Sequence, residues 1–383
     1  MKNKKVIVGI TLLLVLVYTL NSISSGGISM YNTDYIKSEH NLSRGTILLG
    51  AHSRQGFSQF YPSLRDNLIQ DYSFFPFGWG PFTPQEGVYD WSEMDELIEE
   101  VNKYDARFAT AFWSAAHSYE HTPHWLYYDY NLRMITSQGA FINFENENNY
   151  RGFEILSAGR VSEKEDEVLS QKKSLVGENG AFLSSENIMM KKQYPNSLGF
   201  DYKVLQDGEF SIILENIDGT QKILWEDALN VDTTGSKMIW IPAEDLNNYN
   251  RIIWVAQTGI ISVDNVNISP MIPGVHGVPV AYPNYFDSVF KEKYSNFVRA
   301  LYSKYKDEPA MAAVYVGGYG RWDEVGIDAG FMNEAVEGHR MVNEQWISYG
   351  YTDEKYLAHV KGCADLFNEI FGNSKKDVVM QSI

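Results

Sequence analysis

The sequence predicts an α/β fold into which an antiparallel β-sandwich is inserted, and three patterns carry that expectation. Short apolar runs alternate with helices of 3.6-residue period near both ends of the chain. Between them lies a long stretch of strand-like runs and turn dipeptides with no convincing crossover helix. The helical rhythm then resumes, so an insertion is the economical reading. A chain of 383 residues, 44% apolar and 14% aromatic, can bury a large core and exceeds one ordinary compact domain.

At the N-terminus, Lys2, Lys4 and Lys5 precede the apolar run Val6 to Leu20 and the small, polar stretch Asn21 to Gly27. That order is the order of an export signal. The run is about fifteen residues, short of the roughly twenty that span a bilayer, which favours a cleaved signal over a permanent anchor. No Ala-x-Ala site and no following Cys are visible, so residues 1–27 are read as a signal peptide or membrane anchor. The expected location is secreted or on the extracellular face of the membrane, with membrane contact only through this segment.

Thr46 to Ala51 reads as a first strand and Phe74 to Gly78 as a second. Ser92 as N-cap, Asp95 three residues on, and Met94, Leu97, Ile98 and Val101 on one face describe a capped amphipathic helix. Arg107 to Trp113 gives the third strand. From Phe141 to Met271 the runs Phe210 to Glu215, Met238 to Pro242, Arg251 to Gln257 and Ile260 to Ile268 are separated by turns such as Asp207-Gly208 and Asp218-Gly219. This is the pattern of an antiparallel sandwich. The helix Asp287 to Lys306 follows, then a fourth strand at Met311 to Val316. A helix with an apolar face of Tyr356, Leu357, Val360, Ala364, Phe367 and Ile370 comes next, and Asp377 to Ile383 begins like a fifth strand. The domains expected are therefore 44–140 and 272–383 for the α/β part and 141–271 for the insert.

Charge and cysteine content exclude several functions. Acids outnumber bases 49 to 32, a net charge of -17, which argues against nucleic acid because phosphate binding relies on Lys and Arg. The lone Cys363 excludes an internal disulfide framework and any Cys-based zinc site, and is expected to be a buried helix residue. His117, His121 and His124 are close in sequence, but Pro123 breaks any helix that would align them and no acid has zincin spacing, so no metal is assigned to them. The run Gly317 to Gly320 lacks the helix directly behind it that a dinucleotide fingerprint needs; its glycines let backbone approach a ligand closely.

Three segments carry a resemblance. Pro84-Gln85-Glu86-Gly87-Val88-Tyr89-Asp90-Trp91 with Met94-Asp95 follows the second strand, and Thr122-Pro123-His124-Trp125-Leu126 follows the third. Tyr282-Pro283-x-Tyr285 precedes a helix that ends in Tyr305-Lys306-Asp307-Glu308-Pro309. In this order they resemble clan A glycoside hydrolases, nearest to the β-galactosidase family 42, over roughly half of the chain. The resemblance implies a partial (β/α)8 TIM barrel, about its first five strands, with the remaining strands beyond residue 383. It also implies an acid/base glutamate where Gly317-Gly318-Tyr319-Gly320-Arg321-Trp322-Asp323-Glu324 leaves the fourth strand, which makes Glu324 the candidate. Here Asp323 stands where family 42 has Asn, and the Gly-x-Trp-Gly-Glu pattern of other sugar-active barrel proteins fits the local spacing better. The nucleophile of retaining members lies at the end of the seventh strand, which is expected beyond this chain.

The function implied is a secreted, retaining glycoside hydrolase acting on a β-linked, galactoside-type oligo- or polysaccharide. The alternative is a non-catalytic carbohydrate-binding or cell-surface protein on the same scaffold. Sugar sites pair aromatic platforms with hydrogen-bonding side chains. The candidate substrate contacts are accordingly Trp79, Trp113, Trp125, Trp322, His117 and Asp323. The insert resembles carbohydrate-binding modules that open with a segment like Asn143-Phe144-Glu145 and close with one like Val263-Asp264-Asn265-Val266. Such modules often hold a structural calcium, for which Glu145 and Asp264 would be the oxygen ligands, although no cofactor is required for the reaction. Trp240 and Trp254 lie in apolar strand runs and are expected in the sandwich core, whereas Trp225 is left between core and binding face.

Overall fold

The computed structural model describes residues 29–32, 46–49, 70–115, 119–145, 152–186, 193–246, 249–271, 281–320 and 337–380. The first α/β part contains β1 (Ser29–Asn32), β2 (Thr46–Leu49), β3 (Gln70–Gly78), α1 (Trp79–Phe82), α2 (Ser92–Asn102), β4 (Phe108–Trp113), α3 (His124–Asp129) and β5 (Met134–Thr136). The insert contributes β6 (Ala140–Ile142), β7 (Phe153–Ile155), β8 (Gly159–Ser162), β9 (Ser174–Glu186), β10 (Asn196–Gln206), β11 (Gly208–Asn216), β12 (Gln221–Leu229), β13 (Thr234–Ile241), α4 (Ala243–Leu246) and β14 (Tyr249–Pro270). The α/β part then resumes with β15 (Ala281–Pro283), α5 (Ser288–Tyr305), β16 (Met311–Tyr315), α6 (Glu337–Ser348), α7 (Asp353–Phe371) and β17 (Asp377–Val379). The expected residues 1–27 lie outside the described residues.

One sheet has the order β1-β2-β3-β4-β16-β17. From β2 onward every neighbour is parallel, and β1 is antiparallel at one edge. Spatial order follows chain order, with α2 between β3 and β4, α5 between β4 and β16, and α7 between β16 and β17. The five strands expected from the apolar runs are these parallel ones. Their two faces differ. Phe75, Phe108, Phe112, Val314 and Val316 pack against Met94, Leu97 and Val101 of α2 and Phe290, Tyr294 and Phe297 of α5. Phe74, Ala109, Ala111, Ala313 and Tyr315 make a separate, smaller cluster on the other face.

Two details of the helices differ from expectation. Ser92 is the first helical residue and not the cap; the Asp90 carboxylate accepts its N–H at 3.0 Å, and Trp91 occupies the cap position. Asp95, free of any capping duty, accepts the Tyr305 hydroxyl at 2.7 Å and so ties α2 to α5. On α7 the buried stripe is Tyr356, His359, Val360, Cys363, Phe367 and Ile370. Leu357 follows Tyr356 by one residue, about 100° around the helix, and is 60% exposed.

The second sheet is nine-stranded and antiparallel, and its spine is the 22-residue β14. β9 runs beside β14 for most of its length, while on the other side β11 pairs with residues 249–256 and β10 with residues 260–270. The strands therefore turn a corner together at Asp207-Gly208 and Thr258-Gly259. Gly259 has φ +76, and a Cβ on either Gly208 or Gly259 would strike the opposing backbone carbonyl. Leu198, Phe200, Phe210, Ile212, Leu214, Ile252, Trp254 and Val263 form the core between the leaves. Trp254 is in that core as expected. Trp240 is not: β13 turns Ile239 and Ile241 into the sandwich, so the alternate residues Met238 and Trp240 pack on the α/β core instead.

Arg133, just ahead of β5, joins the two units. Its buried guanidinium donates to the Tyr349 hydroxyl at 2.8 Å, to Asn267 Oδ1 at 3.3 Å and to the Asn265 carbonyl, and lies 3.6 Å from Asp201. Asn265 has φ +49, a backbone state Asn tolerates better than most residues, and it falls where the β10–β14 register slips. That bulge presents the Asn265 carbonyl to Arg133.

Candidate functional site

Parallel strands in chain order bring their C-terminal ends to one edge of the sheet. Gly78 is paired with Trp113, and β16 runs beside β4 with Val314 opposite Thr110, so Val316 and Gly317 emerge next to Phe112 and Trp113. The Val316 amide donates to the Val379 carbonyl at 2.8 Å, which brings β17 to the same edge.

Trp113, one of the residues singled out from the sequence, lies at this edge. Its ring belongs to the small-residue face beside Ala109 and Ala111, is half-buried, and lies 6.2 Å from the His121 ring. The buried indole N–H of Trp113 and the adjoining Ser114 hydroxyl have no hydrogen-bond partner among the described residues. Both polar atoms are withdrawn from solvent, like the indole N–H of Trp79 in the core. The Ser114 carbonyl accepts the Thr122 hydroxyl at 2.6 Å, which holds the following loop against this edge.

The other candidates divide. Trp79 is one residue beyond the Gly78–Trp113 pair and therefore points the opposite way. It is 0% exposed, with ring centroids 5.1 Å from Tyr294 and 5.9 Å from both Phe290 and Phe297, so it is core and offers no face to a ligand. Trp125 donates its N–H to the Thr83 carbonyl at 2.9 Å and lies 5.9 Å from Tyr130, a bolt between α3 and the loop after α1. His117, Trp322, Asp323 and Glu324 lie outside the described residues. His124 is wedged 4.6 Å from both Tyr128 and Trp240, and burial lowers its pKa. Among the described residues no group of three or more His, Cys, Asp or Glu could hold a metal.

The glycine turn at the end of β16 has partners that sequence reasoning missed. Tyr285 donates its hydroxyl to the Gly320 carbonyl at 2.6 Å, and His359 Nε2 meets the Gly318 carbonyl at 2.8 Å. Burial lowers the His359 pKa to about 4, so the ring is neutral near pH 7 and Nε2 carries the proton it donates. The signal for His359 was its place on the α7 stripe, three residues after Tyr356 and four before Cys363.

In the sandwich, Glu145 accepts the amides of Lys172 and Lys173, each at 2.8 Å. Asp264 accepts the hydroxyls of Ser170 and Ser174 at 2.7 and 3.0 Å and the Asn265 amide at 2.8 Å. Both carboxylates face residues 170–174, and every contacting oxygen is taken by an N–H or O–H donor. The arrangement is one of hydrogen-bond acceptors and does not fit the oxygen cage a calcium ion needs.

No family model and no curated protein matches the chain. Among solved structures, an exo-β-agarase aligns with 36% of this chain and 26% of its own at 13% identity and a TM-score of 0.26. The K1 cleaved adhesin domain of Lys-gingipain from Porphyromonas gingivalis aligns with 35% of this chain and 98% of its own at 10% identity and a TM-score of 0.30. The C-terminal family 22 carbohydrate-binding module of Clostridium thermocellum Xyn10B aligns with 36% and 94% at 10% identity and a TM-score of 0.27. This chain thus spans about a quarter of the agarase.

Proposed function

We propose that this chain belongs to a carbohydrate-active protein, a glycoside hydrolase cleaving a β-linked, galactoside-type substrate, with its sugar held at the C-terminal edge of the parallel sheet. The observation that carries the reading is the half-buried Trp113 indole at the C-terminal edge of the sheet, where Gly317–Gly320 leaves the neighbouring strand. A sugar presents the apolar C–H face that such a ring can hold. The chain-ordered parallel strands with crossover helices support reading the sheet as part of a (β/α)8 barrel, whose sites gather at this edge. In that frame Glu324, four residues after Gly320, is the general acid.

Glycoside cleavage needs an acid on the leaving oxygen and a second carboxylate, and only the first role is assigned here. The test exploits that division. In the protein that carries this chain, Glu324→Gln lowers cleavage of an unactivated β-linked galacto-oligosaccharide by roughly 10²- to 10⁴-fold. Release of nitrophenolate from an aryl β-galactoside, whose leaving group needs no proton, falls far less. Equal loss on both substrates, or loss on neither, removes Glu324 from the acid role.

The sandwich supports a second, non-catalytic carbohydrate-binding role. Trp225 is only partly buried, 6.1 Å from Tyr202, with the Lys237 ammonium 5.8 Å from its ring, a platform at the rim of the sandwich core. Titration of the parent and Trp225→Ala with galacto-oligosaccharides tests it: heat of binding lost only in the variant supports the role.

A further inference from the structure

We infer that Tyr285 and His359 are positioning residues that jointly fix the Gly317–Gly320 turn at the end of β16, the backbone from which the proposed acid departs. The catalytic consequence rests on the hydrolase reading; the fixing of the turn does not.

The two side chains reach the turn from different elements, Tyr285 from the segment between β15 and α5 and His359 from α7. Each is buried and each meets a backbone carbonyl, Gly320 at 2.6 Å and Gly318 at 2.8 Å. Carbonyls withdrawn from water need donors, and in this turn side chains supply them. Gly318 and Gly320 have φ +91 and +59, the left-handed region that glycine enters without strain. From a third direction Gly318 lies against the Tyr294 ring, where an added Cβ would be 2.6 Å from Cε1.

The pins also brace each other. The Tyr285 and His359 rings stack at 5.4 Å with 16° between planes, and Tyr285 stacks on Trp346 of α6 at 5.6 Å and 22°. Neither ring can turn away from its carbonyl without disturbing the other. Surroundings that lock the side chains supporting a site keep its geometry within the narrow tolerance that catalysis requires. Cys363, 3.7 Å from both His359 Nε2 and the Gly318 carbonyl, completes the packing around this contact.

The test uses Tyr285→Phe, His359→Leu and His359→Gln in the protein that carries this chain, read by amide hydrogen exchange at pH 7. Phe keeps the stacked ring and removes only the hydroxyl; Gln keeps an N–H donor in place of the imidazole. Residues 316–320 exchange at least about tenfold faster in Tyr285→Phe and His359→Leu, stay near the parent rate in His359→Gln, and β9 and β14 do not change. On a glycoside that the parent turns over, kcat falls about tenfold in the first two variants while KM stays within about twofold, and His359→Gln restores kcat. Parental exchange at 316–320 in both Tyr285→Phe and His359→Leu overturns the inference; faster exchange with kcat untouched overturns its catalytic consequence. A Glu324→Gln protein that cleaves at the parent rate overturns the hydrolase reading alone, because the exchange comparison is independent of it.

Discussion

The parallel sheet and the sandwich bury their polar groups in different ways. The α/β unit fills its interior with rings: Trp79, Phe82, Phe112, Tyr294 and Phe297 touch in one continuous aromatic cluster, and few charged groups enter it. The sandwich sends a row of polar side chains, Ser262, Asp264, Asn267 and Ser269, off the back of β14 and buries them as completely as its apolar core. Those residues alternate with Ile261, Val263, Val266 and Ile268, the pattern of a strand with one wet face. That face is dry because residues 163–174 and the α/β unit cover it. The comparison teaches that one unit is stable through packing, whereas the other needs its neighbour to satisfy what it buries.

The sharpest way to break the comparison is at Arg133. Arg133→Met strips donors from the Asn265 carbonyl and Asn267 and removes the cation beside the half-buried Asp201. Losing a hydrogen bond to a buried charged group costs about 1.5–3 kcal/mol. Calorimetry should show the melting transition drop and split in two, because the sandwich loses its join while the aromatic core of the α/β unit is untouched. A single unshifted transition would mean that the two units are held by apolar contact alone.

Asp264 extends the same argument to pH. Burial raises its pKa to about 8, against hydrogen bonds from Ser170, Asn265 and Ser174 that pull the other way, and the charged groups facing it are Asp201 and Arg133. Between the unfolded carboxylate value of 3.8 and about 8 the folded protein holds a proton that the unfolded chain has released. Stability therefore falls as pH rises through that window. Urea unfolding from pH 5 to 8 should follow that slope in the parent and lose most of it in Asp264→Asn. Equal slopes would show that Asp264 is ionised throughout.

What the sequence disclosed follows from period and what it withheld follows from context. The five parallel strands and three crossover helices were legible because apolar runs and helical stripes repeat along the chain, and the insert because its turns carry Asp-Gly pairs. The direction of Trp79 was also in principle readable: it continues Phe75 and Phe77 at period two, onto the face that the helices cover. Trp240 and the row through Asp264 were not, since alternation says which residues share a face and cannot say what covers it. Tyr285 and His359 were invisible as a pair because they are 74 residues apart and come together only in the fold, stacked on each other beneath a turn of backbone carbonyls.

A smaller effect is expected at the corner that lets the sandwich fold on itself. Gly259→Ala adds a Cβ at φ +76 and drives it into the Asp207 carbonyl, so the cost is about 1–3 kcal/mol. Gly219, with a similar φ of +85 but nothing near its Cβ position, should lose less on the same substitution. Chemical denaturation of the two variants side by side separates the penalty of the dihedral from that of the crowded corner.

The smallest stability effect is expected at Trp113, the residue proposed to face the sugar. Trp113→Ala removes a half-buried ring from the small-residue face, and its N–H has no partner among the described residues to forfeit. Trp79→Ala empties a site at 0% exposure inside the aromatic cluster, where truncation of a Trp costs about 3–5 kcal/mol. For Trp113, which is already partly exposed, the expected loss is smaller. Sugar binding should respond in the reverse order, falling steeply in Trp113→Ala. In a Trp79→Phe protein, which keeps a ring in the core, it should be unchanged. If Trp113→Ala proves as destabilising as Trp79→Ala while binding is retained, the strand edge is packing like the rest of the α/β unit. The candidate site must then be sought in the sandwich around Trp225.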